Sequence, residues 1–251
     1  MRKNVLITGA SSGLGAEMAR QLAASGHDLA ITARRVERLE ALRDEIAAAH
    51  PDATVSVHAL DVTDHDQVFA VVKDAIKALG GLDRVIVNAG LGEGGRIGTG
   101  HFEANKRTAE TNFVAAMAQC EAAMEHFYER GAGHLVLISS VSALRGMPGS
   151  MTSYAATKAG LAHLAEGIRM DLVGRDLDIA VTTLFPGYID SEMSASVEQQ
   201  PKLMVDTATG VRSMLRRIEK EVDEAAVPGW PWTPIGAVMK RAPRGVVRKL
   251  I

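Results

Sequence analysis

The chain carries a tyrosine and a lysine four residues apart, in Tyr154-Ala155-Ala156-Thr157-Lys158. On a helix, that spacing puts both side chains on one face. A free phenol ionises near pH 10, which is poor for proton transfer at neutral pH. A neighbouring ammonium favours the phenolate. Lowering the ionisation to neutrality takes about 4 kcal/mol, within reach of close charges in a partly desolvated cleft. The pair is a candidate acid/base centre, although Tyr-x-x-x-Lys by itself more often decorates a helix surface. It has polar company. Ser140, second of the pair Ser139-Ser140, precedes Tyr154 by 14 residues, and Ser142 precedes it by 12. Asn112 lies in a long helical segment upstream. Pro186-Gly187 follows an expected strand, with Ile189 and Ser191 just beyond.

A second group of residues suits phosphate chemistry. Thr8-Gly9-Ala10-Ser11-Ser12-Gly13-Leu14-Gly15 lies between the first expected strand and the first expected helix. Glycines there allow a sharp turn and close approach of a pyrophosphate, and the helix N-terminus offers free N–H groups and a positive dipole end. The strand–loop–helix context favours a dinucleotide over a simple tight turn. Gly9, Ser11 and Gly13 also fit the Gly-x-Ser-x-Gly nucleophile elbow of hydrolases. That elbow needs an oxyanion donor from an earlier loop of the sheet, and the few residues before Gly9 leave no place for one. The second strand ends in Ala33-Arg34-Arg35. An acid here would bind the ribose 2′-OH of NAD, whereas arginine meets the 2′-phosphate of NADP. Thr32–Val36 holds no acid, so NADP(H) is the expected cofactor. Asp61-Val62, closing the third strand, is placed for an adenine edge. Asn88-Ala89-Gly90, closing the fourth, gives the cofactor close access through small residues.

The elements that must position these groups alternate. Strand-like apolar runs are expected at Val5–Thr8, Leu29–Ala33, Thr54–Leu60, Arg84–Asn88, Gly133–Ser139 and Asp178–Phe185, with Ala225–Val227 as a short seventh. Helical patterns lie between them, including one over Ala104–Glu129, one over Ser153–Val173 and one around Lys202–Glu221. Solidly apolar strands separated by amphipathic helices mean a parallel sheet covered on both faces. Right-handed crossovers then give an α/β, Rossmann-type doubly wound sheet of about seven strands. No linker or repeat divides the chain, so residues 1–251 are expected as one domain, with a substrate lid at about 190–220. Met193, Leu203, Met204 and Met214 would line that lid with flexible apolar surface, unless they simply pack a helix. The glycine-rich loop over 92–100 lies above the expected cleft and is expected to be mobile.

Composition narrows the function classes. Of 251 residues, 47% are hydrophobic and 23% charged, which suits a globular protein rather than a disordered one. A formal net charge of −2 argues against nucleic-acid binding through global charge. The single cysteine, Cys120, excludes an intrachain disulfide and suggests a reducing compartment. With no signal-like or membrane-spanning run, the expected location is the cytoplasm. Eight scattered histidines without a Cys cluster give metal catalysis little support. The tail from 228 to 251 stands apart. It holds both tryptophans, Trp230 and Trp232, and five basic residues, with no acid from Ala225 onward. Such a segment either packs on the lid or a subunit interface, or makes peripheral contact with an anionic membrane.

Taken together, the glycine loop, Asn88-Ala89-Gly90, Asn112, Ser140, Tyr154, Lys158 and Pro186-Gly187 resemble the short-chain dehydrogenase/reductase family, in its subgroup of about 250 residues. The likeness runs from Thr8 to about Met193. It implies that Tyr154 gives a proton to the substrate oxygen during reduction and that Lys158 binds the nicotinamide ribose and lowers the tyrosine's pKa. It further implies that Ser140 hydrogen-bonds the substrate carbonyl and Asn112 holds a water of the proton relay. Gly9, Ser11, Gly15, Arg34, Asp61, Asn88, Ile189 and Ser191 would contact the cofactor. The implied activity is NADP(H)-dependent hydride exchange with a hydrophobic carbonyl or alcohol, in a homodimer or homotetramer built on the helices around Asn112 and Tyr154. The Ser140–Tyr154 spacing is one residue longer than the family's usual one, which makes Ser142 a competitor. A cofactor-binding regulator without turnover is the alternative, and the intact Asn, Ser, Tyr and Lys set argues against it.

Overall fold

A computed structural model describes residues 2–192 and 203–250. Seven strands form one sheet in the order β3-β2-β1-β4-β5-β6-β7, with every neighbouring pair parallel. The strands are β1 (Asn4–Thr8), β2 (Asp28–Ala33), β3 (Val55–Ala59), β4 (Arg84–Val87), β5 (Ala132–Ile138), β6 (Asp178–Pro186) and β7 (Glu224–Val227). The crossovers carry α1 (Gly13–Ala24), α2 (Val36–Ala49), α3 (His65–Leu79), α4 (Phe102–Ala109), α5 (Ala115–Arg130), α6 (Met151–Leu172) and α7 (Thr207–Ile218). The tail forms α8 (Gly229–Arg241) and α9 (Arg244–Leu250). Among the described residues, no helix is long and apolar enough to cross a membrane.

The two-residue period of a strand explains the two cores. Val5, Ile7, Leu29, Ile31, Ile86 and Val136 face one layer, which α1, α2 and α7 cover. Leu6, Ala30, Val85, Val87, Leu135 and Leu137 face the opposite layer, closed by α3, α5 and α6. Central strands must be apolar on both sides, which is why they read as continuous runs. The edge strand β3 has only one covered neighbour, and its Ser56 and His58 are only partly buried. The chain moves outward from β1 to β3 and then returns to β4. That reversal opens a crevice beyond the C-terminal ends of β1 and β4, where ligands of open α/β sheets bind.

The helical region expected over Ala104–Glu129 runs unbroken from Phe102 to Arg130, with α4 and α5 joined by a π-helical turn at Glu110–Val114. The pattern expected around Lys202–Glu221 becomes α7, whose start at Thr207 is fixed by Asp206. The Asp206 carboxylate accepts the N–H of Thr209 and so caps the first turn. In the tail, the prolines keep the segment from forming one long helix: α8 ends at Arg241 ahead of Pro243, and α9 follows. Trp230 is non-helical, so Pro231 opens the first regular turn, where a missing N–H costs little, while Pro234 lies inside the helix.

Candidate active site

The glycine loop is shaped by contacts that admit no side chain. Gly9 and Gly13 have φ of +70° and +54°. A Cβ on Gly15 would collide with the Gly9 carbonyl oxygen, and one on Gly9 would lie 2.8 Å from the Ala89 Cα. The loop is thereby pressed onto the end of β4. Thr8 Oγ1 accepts the N–H groups of Asn88 and Ala89, both at 3.1 Å. Asn88 Nδ2 donates to the carbonyls of Thr8, at 2.9 Å, and Gly9, at 3.3 Å. Asn88 is thus a brace that fixes the loop on β4. Ser12 at the N-cap of α1 makes no side-chain cap bond, and Arg35 holds its hydroxyl instead.

The base of α2 supplies positive charge. Arg35 donates from Nε to Ser11 Oγ at 3.2 Å and from Nη2 to Ser12 Oγ at 2.8 Å. Arg34 is exposed and lies 4.0 Å from Asp61. Asp61 accepts the backbone N–H and the hydroxyl of Thr63, which turns the chain after β3, while Val62 is buried.

At the ends of β5 and β6 the polar residues converge. Ser140 caps a short 3₁₀ turn, Val141–Leu144, and its hydroxyl is the polar neighbour that lowers the pKa of the Tyr154 phenol. Ser142 lies behind it, buried, donating its N–H and its hydroxyl to Ser140 Oγ at 3.2 and 3.0 Å. Ser140 is therefore the serine that faces the tyrosine. Lys158, one turn further along α6, is buried with Nζ donating to the Ile138 carbonyl at 2.9 Å, and lies 5.8 Å from the Tyr154 ring centroid. Burial pushes the phenol's pKa up, while the Ser140 hydroxyl pulls it back. Burial lowers the Lys158 ammonium to about 8.

Asn112 sits in the π turn, fully buried. Its Oδ1 accepts the Leu91 N–H at 2.7 Å and its Nδ2 donates to the Leu91 carbonyl at 2.8 Å. A Cβ on Gly90 would meet Asn112 Oδ1 at 3.4 Å and Lys158 Nζ at 3.5 Å. These two side chains thus flank the end of β4. Inserted residues of this kind, found mostly at functional sites, re-aim side chains that a regular helix would direct elsewhere.

Past β6, Gly187 donates to the Val227 carbonyl, and the Trp232 indole lies where a Gly187 side chain would stand. Tyr188 meets Trp232 edge-on at 5.2 Å. Ile189 is buried against Gly210 of α7, and Ser191 lies opposite Gly13 across the glycine loop. A cavity of about 450 Å³ opens here, lined by Gly13, Glu17, Arg20, Ser191 and Glu192 among others, away from Tyr154. Of the residues expected in the lid, Met193 lies outside the described residues and Leu203 is exposed. Met214 is fully buried in α7, so it packs the core. The first half of the glycine-rich loop is fastened rather than loose. Asn105 bonds both the N–H and the carbonyl of Gly95, and Thr108 donates to the Glu93 carbonyl.

The structure brings Asn112, Ser140, Tyr154 and Lys158 together beside the glycine loop. Sequence reading singled out neither Arg38 nor Glu192, and gave Thr8 and Ser139 no role of their own. Ser139, whose hydroxyl donates to the Lys158 carbonyl at 2.8 Å, anchors α6 to β5. A dinucleotide fits this surface. The glycine loop presents bare backbone with positive φ at Gly9 and Gly13, the first turn of α1 has no side-chain cap, and arginines stand at the end of β2.

Comparison with known proteins agrees. The sequence profile of the short chain dehydrogenase family matches residues 3–202. An uncharacterized oxidoreductase of Mycobacterium tuberculosis is 50% identical over 248 residues, 99% of this chain and 97% of its own. An alcohol dehydrogenase from the archaeon Thermococcus sibiricus, complexed with 5-hydroxy-NADP, has a TM-score of 0.79 at 27% identity, covering 89% of this chain and 95% of its own. A short-chain dehydrogenase/reductase from Burkholderia phymatum, in complex with NAD, has a TM-score of 0.84 at 20% identity, covering 99% and 95%, and bears on the fold alone. The family profile, the identity to a full-length oxidoreductase and the sheet order converge: this chain belongs to the short-chain dehydrogenase family and is a nucleotide-binding oxidoreductase.

Proposed function

We propose that the protein is an NADP(H)-dependent reductase or dehydrogenase acting on a hydrophobic carbonyl or alcohol. The observation that carries this reading is the buried Lys158 ammonium, anchored on the Ile138 carbonyl 5.8 Å from the Tyr154 ring centroid, with Ser140 as the phenol's polar neighbour, beside the glycine loop. NADPH supplies the hydride when bound. The chain's own residues handle the proton. In reduction, Tyr154 donates its phenolic proton to the substrate oxygen as the carbonyl becomes an alcohol, and the phenolate is reprotonated from solvent. Ser140 donates a hydrogen bond to the same oxygen and stabilises the charge developing there. Lys158 favours the phenolate and holds the nicotinamide ribose. Asn112, fixed by Leu91, orients the water through which the proton is replaced.

Arg34 and Arg35, with Ser11 and Ser12, support NADP over NAD, because guanidinium and hydroxyl donors match a phosphate monoester. The Thermococcus enzyme, with its bound NADP derivative, supports the same choice. Exposed Tyr188, held edge-on against buried Trp232, offers an apolar surface that suits a hydrophobic substrate. Exposed Phe102, Val114 and Met117, on or between α4 and α5, support a homo-oligomer. The test is oxidation of NADPH and of NADH over a panel of ketones. Turnover is expected with NADPH preferred. Tyr154→Phe is expected to cut kcat by about two orders of magnitude or more while cofactor affinity stays nearly unchanged. Near-normal turnover of that variant would show that the acid is another group.

A further inference from the structure

Arg35 and Arg38 stand one helical turn apart at the start of α2, and both reach the same carboxylate. Glu192 accepts from Arg35 Nη1 at 3.0 Å and Arg35 Nη2 at 2.8 Å, a two-pronged pair, and from Arg38 Nη1 at 3.1 Å. The Arg35 guanidinium rests at the same time on the hydroxyls of Ser11 and Ser12. The carboxylate therefore sits where the glycine loop meets the end of β2, against donors suited to a phosphate monoester. Glu192 comes from a distant part of the chain, directly after Ser191. Contacts with Arg35, Ser12 and Arg38 hold it far below the usual carboxylate range, so it stays charged at any physiological pH.

We infer that Glu192 is a built-in competitor of the cofactor's 2′-phosphate, occupying Arg35 and Arg38 until a ligand bearing that phosphate displaces it, and so sets how strongly the protein prefers NADP(H). This rests on the cofactor reading above and deepens it. The energetics allow exchange. The Glu192 side chain is 51% exposed, and ion pairs this open to solvent are weak and readily exchanged. A phosphate carries more charge and a third acceptor oxygen, so it outcompetes a carboxylate for the same donors. A carboxylate that has to leave nevertheless weakens every ligand that needs its place. It has no such effect on a ligand lacking the 2′-phosphate.

The experiment is calorimetric titration of the full chain with 2′,5′-ADP, 5′-AMP, NADPH and NADH, which reads binding without turnover. Glu192→Gln is expected to tighten 2′,5′-ADP and NADPH about five-fold and to leave 5′-AMP and NADH within about two-fold. Glu192→Ala serves as a second variant of this solvent-facing side chain and is expected to behave alike. Adding Arg38→Gln to Glu192→Gln is expected to remove most of the gain. Equal changes for ligands with and without the 2′-phosphate, or no change in either variant, overturn the inference. A wild-type protein that binds NADH as tightly as NADPH overturns the cofactor reading instead. In that case a selective gain of 2′,5′-ADP in Glu192→Gln still upholds the role of Glu192, and its absence ends that too.

Discussion

At the scale of single residues, Tyr154 and Lys158 are set against one another by the same burial. Removal from water disfavours both charged forms, raising the phenol's pKa and lowering the ammonium's to about 8. The ammonium is still the main form at neutral pH. Its charge, 5.8 Å from the phenol ring, is worth about 3 kcal/mol toward the phenolate at an effective dielectric of about 20. The sign for catalysis follows. On the proposed mechanism, alcohol oxidation uses the phenolate as base, so its rate rises with pH as the phenol ionises. Removing the positive charge delays that ionisation. In Lys158→Met at saturating cofactor, the rising limb of the oxidation profile is expected to move about two units to higher pH. The wild-type advantage should itself fade as pH passes about 8 and the ammonium is lost. The check is the pH–rate profile of both proteins, and an unmoved limb would remove Lys158 from the proton chemistry.

At the scale of elements, the alternation of strands and helices was legible because a strand buried on both faces must be apolar throughout, and Val5–Ile7 and Val85–Val87 can be read no other way. The placement of Tyr154 and Lys158 on one face was legible from helical spacing. Three features were not. The π turn at Asn112 changes the helix locally and leaves the apolar periodicity almost intact, so nothing in the pattern marks it. Glu192 meets Arg35 across 157 positions of sequence, beyond any local signal. The choice between Ser140 and Ser142 depended on which way the 3₁₀ turn after β5 aims its hydroxyls, and residue counting does not contain that. The turn answers it by burying Ser142 and presenting Ser140 to the phenol. Ser140→Ala is therefore expected to lower kcat about a hundred-fold, as loss of one oxyanion donor does. Ser142→Ala, which leaves Ser140 in place with the backbone N–H of residue 142 still donating to it, is expected to stay within about ten-fold. Steady-state kinetics decide, and the reverse order would transfer the role to Ser142.

At the scale of the whole molecule, the tail joins the last helices to the catalytic end of the sheet, and its two tryptophans do opposite things. Trp232 is buried with Phe185 and Val141, the first residue of the turn after Ser140, and covers Gly187 at the end of β6. Arg145 donates to the carbonyls of Lys240 and Ala242, pinning the end of α8 to the same turn. Trp230 is 80% exposed, with exposed Val238 and Val246 in the same tail and Lys240, Arg241 and Arg244 also open to solvent. Packing and surface exposure thus fall to separate residues, and single substitutions test them apart. Trp232→Ala is expected to cost about 3–5 kcal/mol, the range for emptying a large core site, which lowers Tm by about 10 °C in a protein of this size. Trp230→Ser is expected to stay within about 0.5 kcal/mol. The exposed basic residues contribute about 1 kcal/mol each near an anionic surface, which with one tryptophan gives weak and reversible attachment at best. Partial sedimentation with anionic vesicles at low salt is expected, with release at physiological ionic strength and reduced binding of Trp230→Ser. If the full chain does not sediment even at low salt, the exposed face makes no lipid contact, and the tail serves to hold the wall of the active site.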